Sequence, residues 1–268
     1  MAPPKLAPAG PAFRATWRAP RTIVALILRE MGSTYGRSPG GYLWALIEPL
    51  GAILLLSVGF SLIVRTPALG ESFLFFYATG YLPFQLYQDL AQKTSNALRY
   101  SRALLAYPRV TWLDAVLART ILALLTALTV FVILIGGLLL TIDIQVRIRP
   151  GAILAGLGIA ATLGLGVGLI NCVLFNLYPV WQQIWSIVTR PLFLASGVFF
   201  IYDNMPPLAQ EVLWWNPLLH ATGELRRGFY PTYDAPYVSL VYCFGVSLTL
   251  IAFGLMLMRR FHKRALET

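Results

Sequence analysis

Apolar residues fall into six long runs, about Gly41–Val64, Ser72–Leu90, Asp114–Ile142, Gly151–Leu177, Val180–Ile201 and Tyr237–Met258. A membrane-spanning helix needs roughly 20 such residues. The pattern therefore predicts an all-α, polytopic membrane protein with six transmembrane helices. Before the first run, Arg29, Glu30, Tyr35 and Arg37 alternate with apolar residues and are followed by Ser38-Pro39-Gly40-Gly41. This predicts a helix lying on the membrane surface over 21–40, then a tight turn, then entry into the bilayer at Tyr42 and Trp44. Between runs five and six, residues 202–236 are too long for a turn. Leu208–Leu213 and Leu218–Phe229, separated by Asn216-Pro217, read as two short amphipathic helices whose apolar residues dip into the outer leaflet.

Composition sharpens the picture. Of 268 residues, 57% are hydrophobic and 12% charged, against about 25% charged in a soluble domain. The net charge of +10 does not point to nucleic acid, because the basic residues lie between apolar runs rather than on one face. Fifteen of the 21 basic residues fall on one side of a six-span chain: the N-terminal segment, the link between runs two and three, and the C-terminus. That side is the cytoplasm, so both termini are expected there. Residues 1–20, rich in proline, read as a disordered cytoplasmic tail, and 259–268 as a basic one. Cys172 and Cys243 lie inside apolar runs and read as small buried residues.

Several chemistries lack their residues. There is no GxxxxGK[ST] loop for ATP, no HExxH or Cys/His cluster for a metal, and no GxSxG elbow. Few acids lie in the spans, which weakens an ion-coupled carrier. A membrane-embedded lipid-modifying enzyme would need a cluster of polar groups at one depth, and none is evident.

Candidate functional residues remain. Arg190 lies within run five, beside Pro191. An arginine at bilayer depth costs about 2.5–3.5 kcal/mol, so it faces a substrate path, snorkels, or pairs with a residue such as Glu48. In run two Phe73, Tyr77, Phe84 and Tyr87 recur near helical spacing, with Tyr81 beside them. They are either packing and interface residues or one wall of a sugar-stacking path. Trp44, Trp181, Trp185, Phe193 and Phe200 carry the same two readings. Gly164-xxx-Gly168 suits close helix packing, within the chain or between two copies. The segment Asn96–Thr111 has an apolar face of Leu104, Leu105 and Tyr107 among Arg99, Arg102 and Arg109, and Pro108 ends it. It is surface padding or a docking helix.

The chain also resembles a known family. Arg29-Glu30-Met31, Tyr35-Gly36-Arg37-Ser38, Gly41–Leu46 and Glu48-Pro49-Leu50 match the start of ABC-2 type transporter permeases. The similarity is to the branch that exports capsular polysaccharide across the inner membrane of Gram-negative bacteria. It continues through Leu104–Asp114, Arg190–Phe200 and Trp215–Pro231. The resemblance implies an ABC-2 transmembrane domain over 41–258, a homodimer and two separate ATP-binding subunits that hold the ATP and magnesium. It implies that Arg99–Arg109, with Arg29 and Arg37, dock the ATPase. It also implies that the re-entrant pair, with Trp214, Trp215, Asn216, Pro217, Arg226 and Arg227, forms an outer gate. The cargo would be a lipid-linked polysaccharide, passed to a periplasmic co-polymerase or adaptor and an outer-membrane exporter. Exporters of O-antigen, teichoic acid or a small molecule share the fold.

Overall fold

The structure is a computed structural model that describes residues 19–35, 40–41, 43–105 and 110–267. All regular structure among them is helical: α1 (Ala19–Tyr35), α2 (Leu43–Ser61), α3 (Phe73–Ser95), α4 (Ala97–Leu105), α5 (Trp112–Thr141), α6 (Pro150–Leu177), α7 (Pro179–Ala195), α8 (Pro207–Leu213), α9 (Pro217–Phe229) and α10 (Leu240–Glu267), with a 3-10 turn at Tyr202–Asn204. Each predicted run corresponds to one of these helices. Four of them, α2, α5, α6 and α10, are long and apolar enough to cross a membrane. α3 is diluted by Gln85, Gln88, Asp89, Gln92 and Lys93. α7 has only 17 residues.

Local chemistry sets the helix ends. Thr111 and Asp114 cap α5 reciprocally: Asp114 N donates to Thr111 Oγ1 (3.2 Å) and Thr111 N donates to Asp114 Oδ2 (3.0 Å). Pro150, Pro179 and Pro217 open α6, α7 and α9, where a missing N–H costs nothing. α7 stops at Ala195, six residues before the apolar run ends at Ile201. Gly197 adopts φ +74° there, which a side chain would resist. The residues after it turn inward, and Val198 and Ile201 join the core.

α6 is the central helix. Half of its apolar window is buried, against 11–33% for the other three long apolar helices. Its glycines allow this. A Cβ on Gly164 would lie 2.6 Å from the Tyr87 carbonyl of α3, and one on Gly168 2.6 Å from Thr94 Cβ. A Cβ on Gly156 would meet α9 at the Ala221 carbonyl (2.8 Å), and one on Gly166 would meet α10 at Leu250 Cβ (2.8 Å). The small-residue pair therefore packs within the chain, against α3. α2, α5 and α10 present bare apolar faces outward, through residues such as Leu55, Val58, Val132, Leu140, Leu248 and Met256. α7 stands apart, with no buried residue and α6 as its main neighbour.

Candidate functional site

A cavity of about 680 Å³ lies between α3, α6 and α7. α3 contributes Tyr81, Phe84, Tyr87, Gln88 and Gln92; α6 contributes Asn171 and Phe175; α7 contributes Gln182, Trp185, Thr189, Arg190 and Phe193. Positions 182, 185, 189 and 193 fall on one face of α7 because they recur every three or four residues. Its other face, with Val180, Ile184, Ile187 and Val188, is exposed and apolar.

Six residues expected to face a path meet here: Tyr81, Phe84, Tyr87, Trp185, Arg190 and Phe193. Aromatic rings join α3 to α7, with Phe84 4.9 Å from Phe193 and Tyr81 6.2 Å from Phe193 edge-on. Trp181 sits beside the cavity; its Nε1 donates to Asn171 Oδ1 (2.9 Å) and its ring lies 6.4 Å from Trp185. The remaining three lie elsewhere. Tyr77 is buried among Phe60, Phe73, Phe76 and Phe199. Phe200 enters the structure through its carbonyl, described below. Trp44 is exposed on the first turn of α2.

Among the described residues no acid lines the cavity, and Arg190 is the one basic side chain that does. Arg190 makes no ion pair among the described residues. Glu48 does not reach it; Glu48 lines a separate cavity of about 180 Å³ with Gln85, Asp89 and Lys93. A hydrogen-bonded chain links the two spaces: Tyr81 OH donates to Gln85 Oε1 (3.0 Å), and Gln85 Nε2 donates to Asp89 Oδ1 (3.2 Å). The cavity amides Gln88, Gln92 and Gln182 escaped the sequence reading. A signal was available for Gln88 and Gln182: carboxamides inside otherwise apolar runs tend to face something polar.

One end of the bundle is closed by α8, α9 and the segment after α7. Asn216 caps α9 by accepting from Leu218 N (3.1 Å), and its Nδ2 donates to the Ala195 carbonyl at the end of α7 (3.0 Å). Arg226 is buried. Its guanidinium donates to the carbonyls of Phe200 (2.9 Å) and Val198 (3.1 Å) and lies 4.1 Å from the centre of the Phe76 ring. Gly80 leaves the room, since a Cβ there would come within 2.8 Å of Arg226 Nη2. Arg227 pairs with Glu224 (2.7 Å). Trp214 stacks on Tyr242 (4.9 Å) and donates to the Tyr237 carbonyl (3.1 Å), and Trp215 packs edge-on against both Trp214 and Tyr242. His220, which the sequence did not single out, accepts from Ser239 N at Nδ1 (3.3 Å). Its Nε2 therefore carries the proton and donates to the Trp214 carbonyl (2.7 Å). Burial pulls the pKa of His220 below the usual histidine value, against the opposing pull of that carbonyl.

At the other end, α1, α4 and α5 enclose a groove of about 470 Å³ lined by Arg29, Glu30, Tyr100, Leu104 and Arg119 among others. Arg119 ties the three helices. Its Nε lies 2.7 Å from Glu30 Oε1, its Nη1 donates to the Asn96 carbonyl (3.2 Å), and its guanidinium lies 4.0 Å from the Tyr100 ring centre. Arg99 lines a neighbouring cavity with Gln92, Asn96 and Tyr100, Arg102 is exposed, and Leu105 packs inward. Arg37, Tyr107, Pro108 and Arg109, together with residues 1–18 of the N-terminal tail, lie outside the described residues. Among the described residues, no cluster of three or more His, Cys, Asp or Glu side chains could hold a metal ion.

Long apolar helices with outward apolar faces, packed about a glycine-lined centre, define an all-helical, multi-pass membrane protein. Residues 21–230 match the ABC-2 type transporter family, and the chain belongs to that family. It is similar to the polysialic acid transport protein KpsM of Escherichia coli, 28% identical over 238 residues that cover 89% of this chain and 92% of that protein. It is also similar to the capsule polysaccharide export inner-membrane protein CtrC of Neisseria meningitidis serogroup B, 30% identical over 249 residues, covering 91% and 92%. The capsule polysaccharide export inner-membrane protein BexB of Haemophilus influenzae is 27% identical over 244 residues, with the same coverage.

Proposed function

We propose that this chain is the membrane subunit of an ATP-driven exporter that moves a lipid-linked capsular polysaccharide out of the cytoplasm across a bacterial inner membrane. The observation that carries the reading is the cavity between α3, α6 and α7. Among the described residues it has aromatic faces for sugar rings, amides for hydroxyls, one guanidinium for an anionic group and no acid to repel one. The names of the similar proteins, which concern polysialic acid transport and capsule polysaccharide export, supply the cargo class.

On this reading α2, α3, α5, α6, α7 and α10 are six spans with both termini in the cytoplasm, and residues 41–258 form the transmembrane domain. α1 lies on the cytoplasmic membrane surface. α4 is the coupling helix that docks one of two separate ATP-binding subunits, with Arg29, Arg99 and Arg102 at the contact. α8 and α9 form the outer gate. A second copy lies beyond α7 and completes the path, supported by the bare, apolar outer face of that helix. Periplasmic and outer-membrane partners receive the polymer.

Deleting the gene should abolish surface polymer and strand it in the cytoplasm. The purified chain should co-purify with an ATP-binding subunit and change its hydrolysis rate. Arg190→Gln should cut export at unchanged membrane level. Normal surface polymer in the deletion strain would refute the reading.

A further inference from the structure

The face of α3 towards the main cavity carries Phe84, Gln88, Gln92 and Asn96, one residue per turn. These positions step roughly 6 Å along the helix axis. Gln92 lines both the main cavity and the adjoining space at the start of α4, which is bounded by Asn96, Arg99 and Tyr100. The two spaces therefore share a wall, and the track continues from Arg99 to Arg190.

The carboxamides on this track are uncommitted. Among the described residues, the side chains of Gln88, Gln92 and Gln182 have no hydrogen-bond partner, although each offers two donors and an acceptor oxygen. Gln85, on the same helix but another face, has both ends engaged, by Tyr81 OH and Asp89. One glutamine of α3 is thus structural and two are free. All three are exposed on the cavity side, so their donors and acceptors are free to meet a polar occupant there.

We infer that Gln88, Gln92 and Gln182 form a sugar-hydroxyl recognition track through which the exported polymer is loaded, leading from the α4 end to the guanidinium of Arg190 inside the cavity. The inference rests on the export reading and deepens it. A carboxamide donates and accepts at once and rotates freely, so successive sugars in either orientation find a partner. Neutral hydrogen bonds are individually weak, and a polymer must be held by many such sites yet leave each one. Aromatic rings at the far end then take the sugar faces.

The test is made in the native host, with the double variant Gln88→Leu/Gln92→Leu. Leucine adds apolarity to α3, so insertion is preserved, and thermal unfolding of the purified variant should match or exceed wild type. Surface polymer should fall about tenfold, from two lost hydrogen-bonding groups, while the membrane level and the bound ATP-binding subunit stay constant. Gln92→Asn, which keeps the amide, should stay within about twofold of wild type. If the double variant exports normally while the deletion strain does not, the track is refuted and the export reading stands. If the variant loses stability together with export, the glutamines are packing residues and the track is again refuted. If the deletion strain itself keeps its surface polymer, the export reading fails first.

Discussion

Substituting Gly164 by alanine places a methyl group where the α3 backbone lies. The added Cβ would come within 2.6 Å of the Tyr87 carbonyl oxygen and 3.0 Å of Leu90 Cβ. Ordinary contact begins near 3.4 Å, so α3 must retreat by roughly 0.8 Å along a seam that also holds Gly168 against Thr94 and Ala91. Overpacking of this kind costs about 1–3 kcal/mol. Alanine recovers about 1 kcal/mol through its better helix propensity, which leaves a net loss of up to about 2 kcal/mol. Gly137 of α5 is the control, because a Cβ there meets nothing within 4 Å; Gly137→Ala should be neutral or stabilising by up to about 1 kcal/mol. Thermal or denaturant unfolding of both variants in the same detergent measures the difference. Because Tyr87 and Gln88 belong to the cavity wall, Gly164→Ala should also lower export. If the two variants unfold alike, the close α3–α6 contact does not govern stability and the reasoning fails.

Two further predictions concern the ends of the bundle. Arg226→Met removes two charge-assisted hydrogen bonds to the Val198 and Phe200 carbonyls, worth about 1.5–3 kcal/mol each, partly offset because no cation is then buried. Hydrogen exchange over residues 196–201 should speed up while α6 is unaffected, and unchanged protection there would sink the idea that Arg226 holds the end of α7. Arg119→Gln cuts the tie among α1, α4 and α5, so export per ATP hydrolysed should fall several-fold while hydrolysis continues. The swap Arg119→Glu with Glu30→Arg should restore part of the loss, with a coupling energy of about 0.5–3 kcal/mol; a purely additive pair would contradict it.

Much of the helical layout was legible because it rests on local signals. The apolar runs, the proline starts at Pro150, Pro179 and Pro217, and the Thr111–Asp114 cap are all written within a few residues of where they act. What escaped depends on partners far away in sequence. α7 ends early at Gly197, and the chain beyond it turns towards Arg226, nearly thirty residues on. Tyr77 and Tyr81 look equivalent on a helical wheel. Yet one is sealed among Phe60 and Phe199 and the other opens onto the cavity, because their neighbours differ at each depth. Arg190 and Glu48 were an open pairing that the fold assigns to separate cavities. The glutamines were hidden by their ordinariness, since only the contrast between Gln85 and Gln88 tells a structural amide from a free one.

α7 supplies much of the cavity lining yet buries none of its residues, and it meets the core chiefly through Leu192 and Phe193 near its end. A wall held at its two ends and unsupported along its length is soft: displacing it breaks few internal contacts, so it belongs to the low-energy end of the molecule's motions. The bore of the cavity is then fixed by whatever presses on the back of α7. On the export reading, residues such as Ile184 and Ile187, exposed on that back face, become determinants of how wide a chain can pass. On that reading, selectivity for bulky or branched cargo can drift through changes on the outer face of one helix, with the lining left untouched.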